Sequence, residues 1–331
     1  MTSGRTTFIV RRLIWALVLT WAVGSATLLL GHAAGSNYVA QALGFGASRD
    51  VVERARALRE LDHPLGVKYR NWLVGLVRLD LGHSVMFDRP VGPLVVQRAA
   101  STALLATAAL LIAGLLGIPG GLLTGSRPTA WTARLVKLCS VFLLSCPPIV
   151  ASLVLVWAAA VTGWAPVGGM SSSAAGDISG VDAFLDVLAH IPVPALALGL
   201  PLAAIFERVQ SDAMARALAE PCMVAARARG IGRSRIVWHH GLKLAAGPVL
   251  SVVGLLAGAV LSGSLAVELV TSWPGLGRLT YEAMIARDLP LSAGCTTAAA
   301  ILLSAAVLVS DVALRVADPR VESLETQEAF A

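Results

Sequence analysis

Six stretches of this sequence run for 15 residues or more without Asp, Glu, Lys, Arg or His: Leu13 to Leu30, Ser101 to Leu123, Leu138 to Val161, Ile191 to Ile205, Ala245 to Val267 and Leu291 to Val309. About 20 apolar residues in a helix cross roughly 30 Å of hydrocarbon. Within lipid, each backbone N–H and C=O must find its partner inside the segment, and a helix achieves this alone. The pattern therefore predicts an all-α integral membrane protein with six spans. Composition agrees: 56% of the 331 residues are hydrophobic and 14% charged, outside the range of soluble globular domains.

Charge sets the expected orientation. Residues 1–12 carry Arg5, Arg11 and Arg12, and the first span completes a segment 1–30. His32-Ala33-Ala34-Gly35 has the form of a signal-peptidase site. The apolar run before it exceeds a signal peptide's usual core, so a retained span is expected, with its N-terminus cytoplasmic. On that topology the cytoplasmic segments hold 15 Lys and Arg residues and the two short external loops hold two. The polar segment 31–98 holds nine, but segments of that size cross largely regardless of charge. It is expected to be extracytoplasmic, with Ser48 capping a helix Arg49 to Leu61 and Pro64 opening a second. In that second helix Val67, Trp72, Leu73, Leu76 and Val77 recur at near-helical spacing.

Residues 99–313 form the expected core of five spans, and 314–331 an acidic cytoplasmic tail. Gly114, Gly117, Gly120 and Gly121 allow close helix approach in the second span. Pro147-Pro148 predicts a bend in the third, and Pro192, Pro194 and Pro201 predict an irregular fourth. Residues 162–191 read as an external loop with a short helix near Val181 to Leu188. Trp273-Pro274-Gly275-Leu276-Gly277 predicts an amphipathic scoop at the outer interface, with Trp273 at headgroup depth.

The most informative interval is Glu220 to Pro248, within the cytoplasmic loop 207–244. It carries Arg227, Arg229, Arg233, Arg235 and Lys243 between two uncharged runs. Pro221 suits the first position of a helix, and Gly230 suits its left-handed end. Ala225, Ala226 and Ala228 between them predict a small face. Ser234 then caps a second helix through Ile236, Val237, His240 and Leu242.

Ala226-x-x-x-Gly230, followed by His240-x-Leu242-Lys243 and Pro248-Val249-Leu250, resembles the loop shared by permease subunits of ABC importers. The version here is similar to the peptide and nickel branch, in its dipeptide and oligopeptide first-permease type. The general motif opens with Glu-Ala-Ala, and this chain has Val224-Ala225-Ala226. Asp62-x-Pro64-Leu65, Tyr69, Trp72, Asp80-Leu81-Gly82-x-Ser84, Arg89-Pro90-Val91, the WPGLG run, Arg287-Asp288-Leu289-Pro290 and Asp318-Pro319-Arg320 extend the likeness over nearly the whole chain. The resemblance implies the type I importer permease fold, with the extracytoplasmic segment between helices 1 and 2. It implies an ATPase-coupling role for Glu220, Ala225, Ala226, Arg227, Arg229, Gly230, His240 and Leu242, and an outer scoop at Trp273, Pro274, Gly275 and Gly277. The implied partners are a second homologous permease, two ATPase subunits that bind ATP and Mg, and an extracytoplasmic solute-binding protein. The implied location is the bacterial cytoplasmic membrane, with both termini inside. The implied cargo is a di- or oligopeptide, with nickel, glutathione or haem as alternatives.

Other chemistries find little support. No P-loop motif is present, and no hydrolase or zinc-protease frame. His239 and His240 are adjacent and would point about 100° apart on a helix, a poor metal clip. His63, His83 and His190 read as ordinary polar residues. Cys139, Cys146, Cys222 and Cys295 lack metal or disulfide spacing, so no cofactor or metal is expected in the chain. The basic residues are dispersed at span ends, which disfavours nucleic acid. Uncharged spans argue against a self-sufficient ion-coupled carrier, which needs ionisable groups at depth. A membrane enzyme acting at the external segment and a structural membrane scaffold are the rival readings from other classes.

Overall fold

The computed structural model describes residues 2–33, 64–172 and 180–317. The expected helix Arg49 to Leu61 with its Ser48 cap, Asp62, His63, the Asp318-Pro319-Arg320 end and the acidic tail lie outside the described residues. Among those described, regular structure is helical apart from one antiparallel bridge between His83 and Pro90. The helices are α1 (Thr2–Ala33), α2 (Leu65–Arg78), α3 (Val91–Ser126), α4 (Trp131–Ser145), α5 (Pro148–Thr162), α6 (Val181–His190), α7 (Pro192–Ala219), α8 (Pro221–Ala228), α9 (Arg233–Val270), α10 (Leu276–Ile285) and α11 (Leu289–Ala317).

Among the described residues, five helices are long and apolar enough to cross a membrane: α1, α3, α7, α9 and α11. The third expected span is a broken one. At Cys146-Pro147 the chain turns by 105° between α4 and α5. Two prolines in sequence explain a break in place of a bend. Pro147 takes the extended cap conformation and Pro148 starts α5, where its missing N–H costs nothing. At 15 residues each, the two halves are about 22 Å long, too short to cross singly.

Contacts divide the chain into two units, Met1–Ala103 with Pro274–Ser304, and Leu104–Trp273 with Ala305–Ala331. The second is organised around α7. Its fourth-span prolines do not disrupt it: Pro192 and Pro194 occupy the first turn, where backbone N–H groups have no helical partner, and the helix continues through Pro201. It also runs well past Ile205, to Ala219. α4, α5 and α9 all pack on it.

The tightest seam joins α7 to α3. A Cβ on Gly117 would lie 2.4 Å from the Ala203 carbonyl oxygen, one on Gly121 2.6 Å from that of Glu207, and one on Gly125 2.4 Å from that of Ser211. Three glycines four residues apart thus meet three residues four apart on α7. From the α7 side, a Cβ on Gly199 would lie 2.9 Å from the Ala109 carbonyl oxygen. Residue numbers rise together along both helices, so α3 and α7 run parallel. The chain between them must therefore return across the thickness, and the α4–α5 pair is the element that does so. α9 is antiparallel to α7, with Gly241 against Met214 at one end and Gly263 against Leu198 at the other. α11 is antiparallel to α9: Ser310 Oγ donates to the Leu250 carbonyl at 3.0 Å, and a Cβ on Gly254 would lie 3.7 Å from the Val307 Cα.

In the first unit, the aromatic pair Tyr69 and Trp72 fastens α2 to α1. The Tyr69 hydroxyl takes the Trp21 indole N–H at 3.0 Å and shares a hydrogen bond with Ser25 at 2.9 Å. The edge of the Trp72 ring fills the space left by Gly24.

Gly117→Leu should lower the thermal unfolding midpoint in detergent, at an overpacking cost of about 1–3 kcal/mol. Gly114→Ala, whose Cβ would find its nearest neighbour at 3.9 Å, should leave that midpoint unchanged. Equal midpoints for the two variants would contradict the seam.

Candidate functional site

The expected loop 207–244 contracts to residues 220–232, because α7 runs on to Ala219 and α9 starts at Arg233; between them lie α8 and a glycine corner. Glu220 closes α7 and opens α8 with φ −59° and ψ 141°, and its carbonyl accepts from the Met223 and Val224 N–H groups. Pro221 takes the first helical position. At the other end Gly230 has φ +77°. Its N–H reaches the Arg227 carbonyl at 2.9 Å, and the Ile231 N–H reaches back to that of Ala226 at 3.2 Å. This closure needs a left-handed residue, and a side chain there would be strained whatever the space.

The loop has its own small core of Met223, Ala226 and Ile236, with Leu218 and Ile231 packed against it. Two arginines tie it down. Arg227 donates to the Leu218 carbonyl at the end of α7, and Arg233 donates to the Ser126 carbonyl at the end of α3. Both carbonyls belong to last turns that lack helical partners.

Two expectations about this loop need correction. Ala225, Ala226 and Ala228 do not form one outward face: Ala226 is buried, whereas Ala225, Ala228 and Val224 are exposed. Ala226 lies three residues after Met223, and the helical period turns both inward. Nor does Ser234 cap the second segment. Gly232 holds the extended cap conformation and α9 starts at Arg233, so the segment is the first part of a long membrane helix. Within it, Ile236–Gly241 winds as a π-helix. Gly241 permits this, because a Cβ there would lie 2.5 Å from Met214 Cε and 3.2 Å from the Ile236 carbonyl oxygen. His240 is half-buried, His239 is exposed, and Leu242 packs on the cluster around Met214.

The WPGLG run also departs from expectation. Trp273 is fully buried among the side chains of the second unit, including Leu105, Phe206 and Val267, so its ring is not presented to lipid headgroups. Gly275 caps α10, and the Leu276 N–H donates to Thr102 Oγ1 at 2.7 Å. Leu276, Leu279 and Ala283 face inward, while Tyr281, Met284 and Ile285 face out, so α10 keeps the amphipathic character of a scoop. Beside it two distant motifs meet. Asp288 Oδ2 accepts from Ser84 Oγ at 2.7 Å and from the Met86 N–H at 2.9 Å, and its Oδ1 accepts from the Leu291 N–H.

Two features escaped the sequence reading. Because α7 continues past Ile205, Glu207 falls inside it, buried, with its carboxylate accepting from Thr124 Oγ1. It lines a cavity of about 240 Å³ with Lys137, Arg208 and Asp212. Glu268, in the last turn of α9, is also fully buried. The spans are therefore not free of ionisable groups, and the sequence argument against ion coupling loses that premise. The sequence signals were Glu207, two residues beyond the expected end of its span, and Glu268, one residue beyond the expected end of its own.

The second is the fastening of the segment between α5 and α7. Asp186 Oδ2 accepts from Ser171 Oγ at 2.6 Å and from the Ser172 N–H at 2.8 Å. His190 is buried, with Nδ1 2.7 Å from the Asp186 carbonyl oxygen. Ser172 Oγ stands 3.4 Å from His190 Nε2, so serine, histidine and aspartate are gathered here. The Asp186 Oδ1 also stands 3.6 Å from His190 Nδ1, so the aspartate, the histidine and the two serines together clamp the segment that leads into α7.

The chain is similar to known proteins over most of its length. A family profile described as binding-protein-dependent transport system inner membrane component matches residues 117–323. A Brucella ovis protein named as a peptide permease is 32% identical over 273 residues, covering 82% of this chain and 84% of its own. The oligopeptide transport system permease protein AppB of Bacillus subtilis is 30% identical, over 79% of this chain and 82% of its own. The glutathione transport system permease protein GsiC of Escherichia coli is 29% identical, over 86% and 88%.

The serine hydrogen bonds, the Ser171 hydroxyl first, lower the Asp186 pKa from 3.8 to about 2. A depressed carboxylate stabilises the fold at pH values above its unfolded pKa, and that contribution is lost as pH falls from about 4 towards 2. Ser171→Ala should raise the Asp186 midpoint towards 3.8 when followed by NMR titration. An unmoved midpoint would show that the clamp is not set by this hydroxyl.

Proposed function

Because the chain belongs to the family of binding-protein-dependent transport system inner membrane components, we propose that it forms half of the translocation path of a peptide importer, coupled through α8 to a separate ATPase. The observation that carries this is the corner at Glu220 to Gly230. Its backbone is closed by glycine, its inner face is packed, and its two arginine ties hold it to the ends of α3 and α7. The outer face bears Val224, Ala225, Ala228 and Arg229, all exposed. A rigid, small-featured, basic-rimmed projection suits a cleft on another protein.

The similar proteins quoted above are named for peptides, oligopeptides and glutathione, itself a tripeptide, and this favours a peptidic solute. A second, homologous permease completes the path, two ATPase subunits bind ATP and Mg, and a solute-binding protein delivers cargo from outside. ATP closes the ATPase pair, α8 moves with it, and the spans open towards the loaded binding protein; hydrolysis resets them. The chain has no P-loop of its own. The positive-inside balance supports a topology with the α8 corner and both termini in the cytoplasm and α6 outside.

Docking and folding effects separate on α8. Ala225→Trp, on the exposed face, should weaken retention of the ATPase subunits in a pull-down of the whole complex while leaving the permease stable. Arg229→Ala should do so by about 1 kcal/mol or less. Ala226→Trp should instead destabilise the permease itself, because it overfills the loop core. Cross-links that place the ATPase on residues 31–98 would overturn the coupling assignment. Uptake of labelled oligopeptides by the complete complex tests the cargo; transport of nickel or haem without peptide would replace it.

Orientation has its own test. In a background lacking the other cysteines, the exposed native Cys222 should react with an impermeant thiol reagent only after the membrane is opened. A Val181→Cys variant, at a position 72% exposed on α6, should react in intact cells. The reverse pattern would invert the topology.

A further inference from the structure

Where α3 ends beside the start of α9, the structure holds an amphipathic pocket of about 260 Å³. Its lining includes the apolar side chains of Leu122, Leu123 and Val237 and the polar ones of Arg127, Arg233 and Ser234. Trp238, 56% exposed, also lines it. A neighbouring cavity of about 580 Å³ shares Ser126, Arg233 and Val237 and adds Arg227. No carboxylate lines either cavity.

The hydrogen-bonding capacity of the polar lining is lopsided. Arg233 spends an N–H on the Ser126 carbonyl, which fixes its guanidinium over the end of α3 and leaves other N–H groups facing the pocket. Arg127 makes no side-chain bond among the described residues. Ser234 adds a hydroxyl and Trp238 an indole N–H. The guanidinium and indole groups can only donate and the hydroxyl can do either, while the lining offers them no carboxylate. A guanidinium matches a phosphate's oxygens with two parallel hydrogen bonds.

The pocket's apolar lining identifies what carries the phosphate. The apolar stretch of α3 ends at Leu123, one turn before Arg127, so the polar lining lies where hydrocarbon gives way to headgroups. A tryptophan beside it fits that depth. We propose that this pocket binds an anionic phospholipid, with its phosphodiester between Arg127 and Arg233 and an acyl chain along Leu123 and Val237. The site lies beside the coupling corner, and Arg233 belongs to both, so the lipid completes the packing under the loop. The proposal rests on α3 and α9 being membrane helices and not on the identity of the cargo.

The complete complex would be reconstituted in nanodiscs of phosphatidylcholine, or of phosphatidylcholine and phosphatidylglycerol in equal parts, and the retained lipid read by native mass spectrometry. The wild type should keep phosphatidylglycerol in preference to phosphatidylcholine. Arg127→Gln, which removes no internal bond, should weaken that preference about fivefold, since a basic residue near an anionic surface is worth about 1 kcal/mol. Arg127→Lys should restore most of it. Equal retention of the two lipids by the wild type, or an unchanged preference in Arg127→Gln, would overturn the proposal. So would competition by inorganic phosphate alone at millimolar levels, which would show an anion site without a lipid. If Arg127→Gln instead releases the ATPase subunits and leaves lipid retention intact, the pocket belongs to the protein interface and the lipid assignment fails.

Discussion

Backbone contact between α3 and α7 is the constraint on which the second unit depends. Inside a bilayer, two apolar helices gain little by leaving lipid for each other, so association relies on close packing. Gly117, Gly121 and Gly125 remove the side chains that would hold the helices apart. The α7 surface they admit is therefore buried more completely than that of any other apolar helix of spanning length, with 61% of its apolar window inside. Once α7 is fixed, the broken pair α4–α5, the long helix α9 and the α8 corner all have a common support.

The same closeness explains why polar groups survive at depth. Glu207 sits on the seam itself, and Thr124 lies on α3 within reach of its carboxylate. A buried carboxylate is tolerable only with such partners, and the narrow gap supplies one. A more loosely packed pair of helices would leave that oxygen facing hydrocarbon.

Much of this was legible beforehand, for identifiable reasons. Long uncharged runs can only be spans, so the helices and their order followed directly. Pro221 and Gly230 marked α8 because each restricts the backbone in one way. What failed was anything decided by a partner helix. The spacing of alanines in α8 cannot tell that Ala226 turns towards Ile236, and Ser234 has the chemistry of a cap but lies past the extended residue that serves as one. Trp273 is amphipathic enough for a headgroup zone, yet the second unit buries it whole. The glycines at 117 and 121 were visible as small residues; their register against Ala203 and Glu207 was not. Asp288 and Ser84 each belonged to a recognisable motif, but 204 residues of chain separate them, and only the fold shows one motif binding the other.

The π-helical turn has a mechanical side. From Arg233 to Val270 the chain forms one element of 38 residues, about 57 Å long at the helical rise, with no break between the corner and the far side of the bilayer. The corner is therefore the short arm of a lever whose other arm is a membrane span. A tilt of about 5° about its base would carry the far end by roughly 5 Å, more than the width of a methyl group and close to one helical turn. On the coupling proposed above, a partner that rocked the corner by a small angle would move the far end of α9 by a distance comparable to a solute's own dimensions.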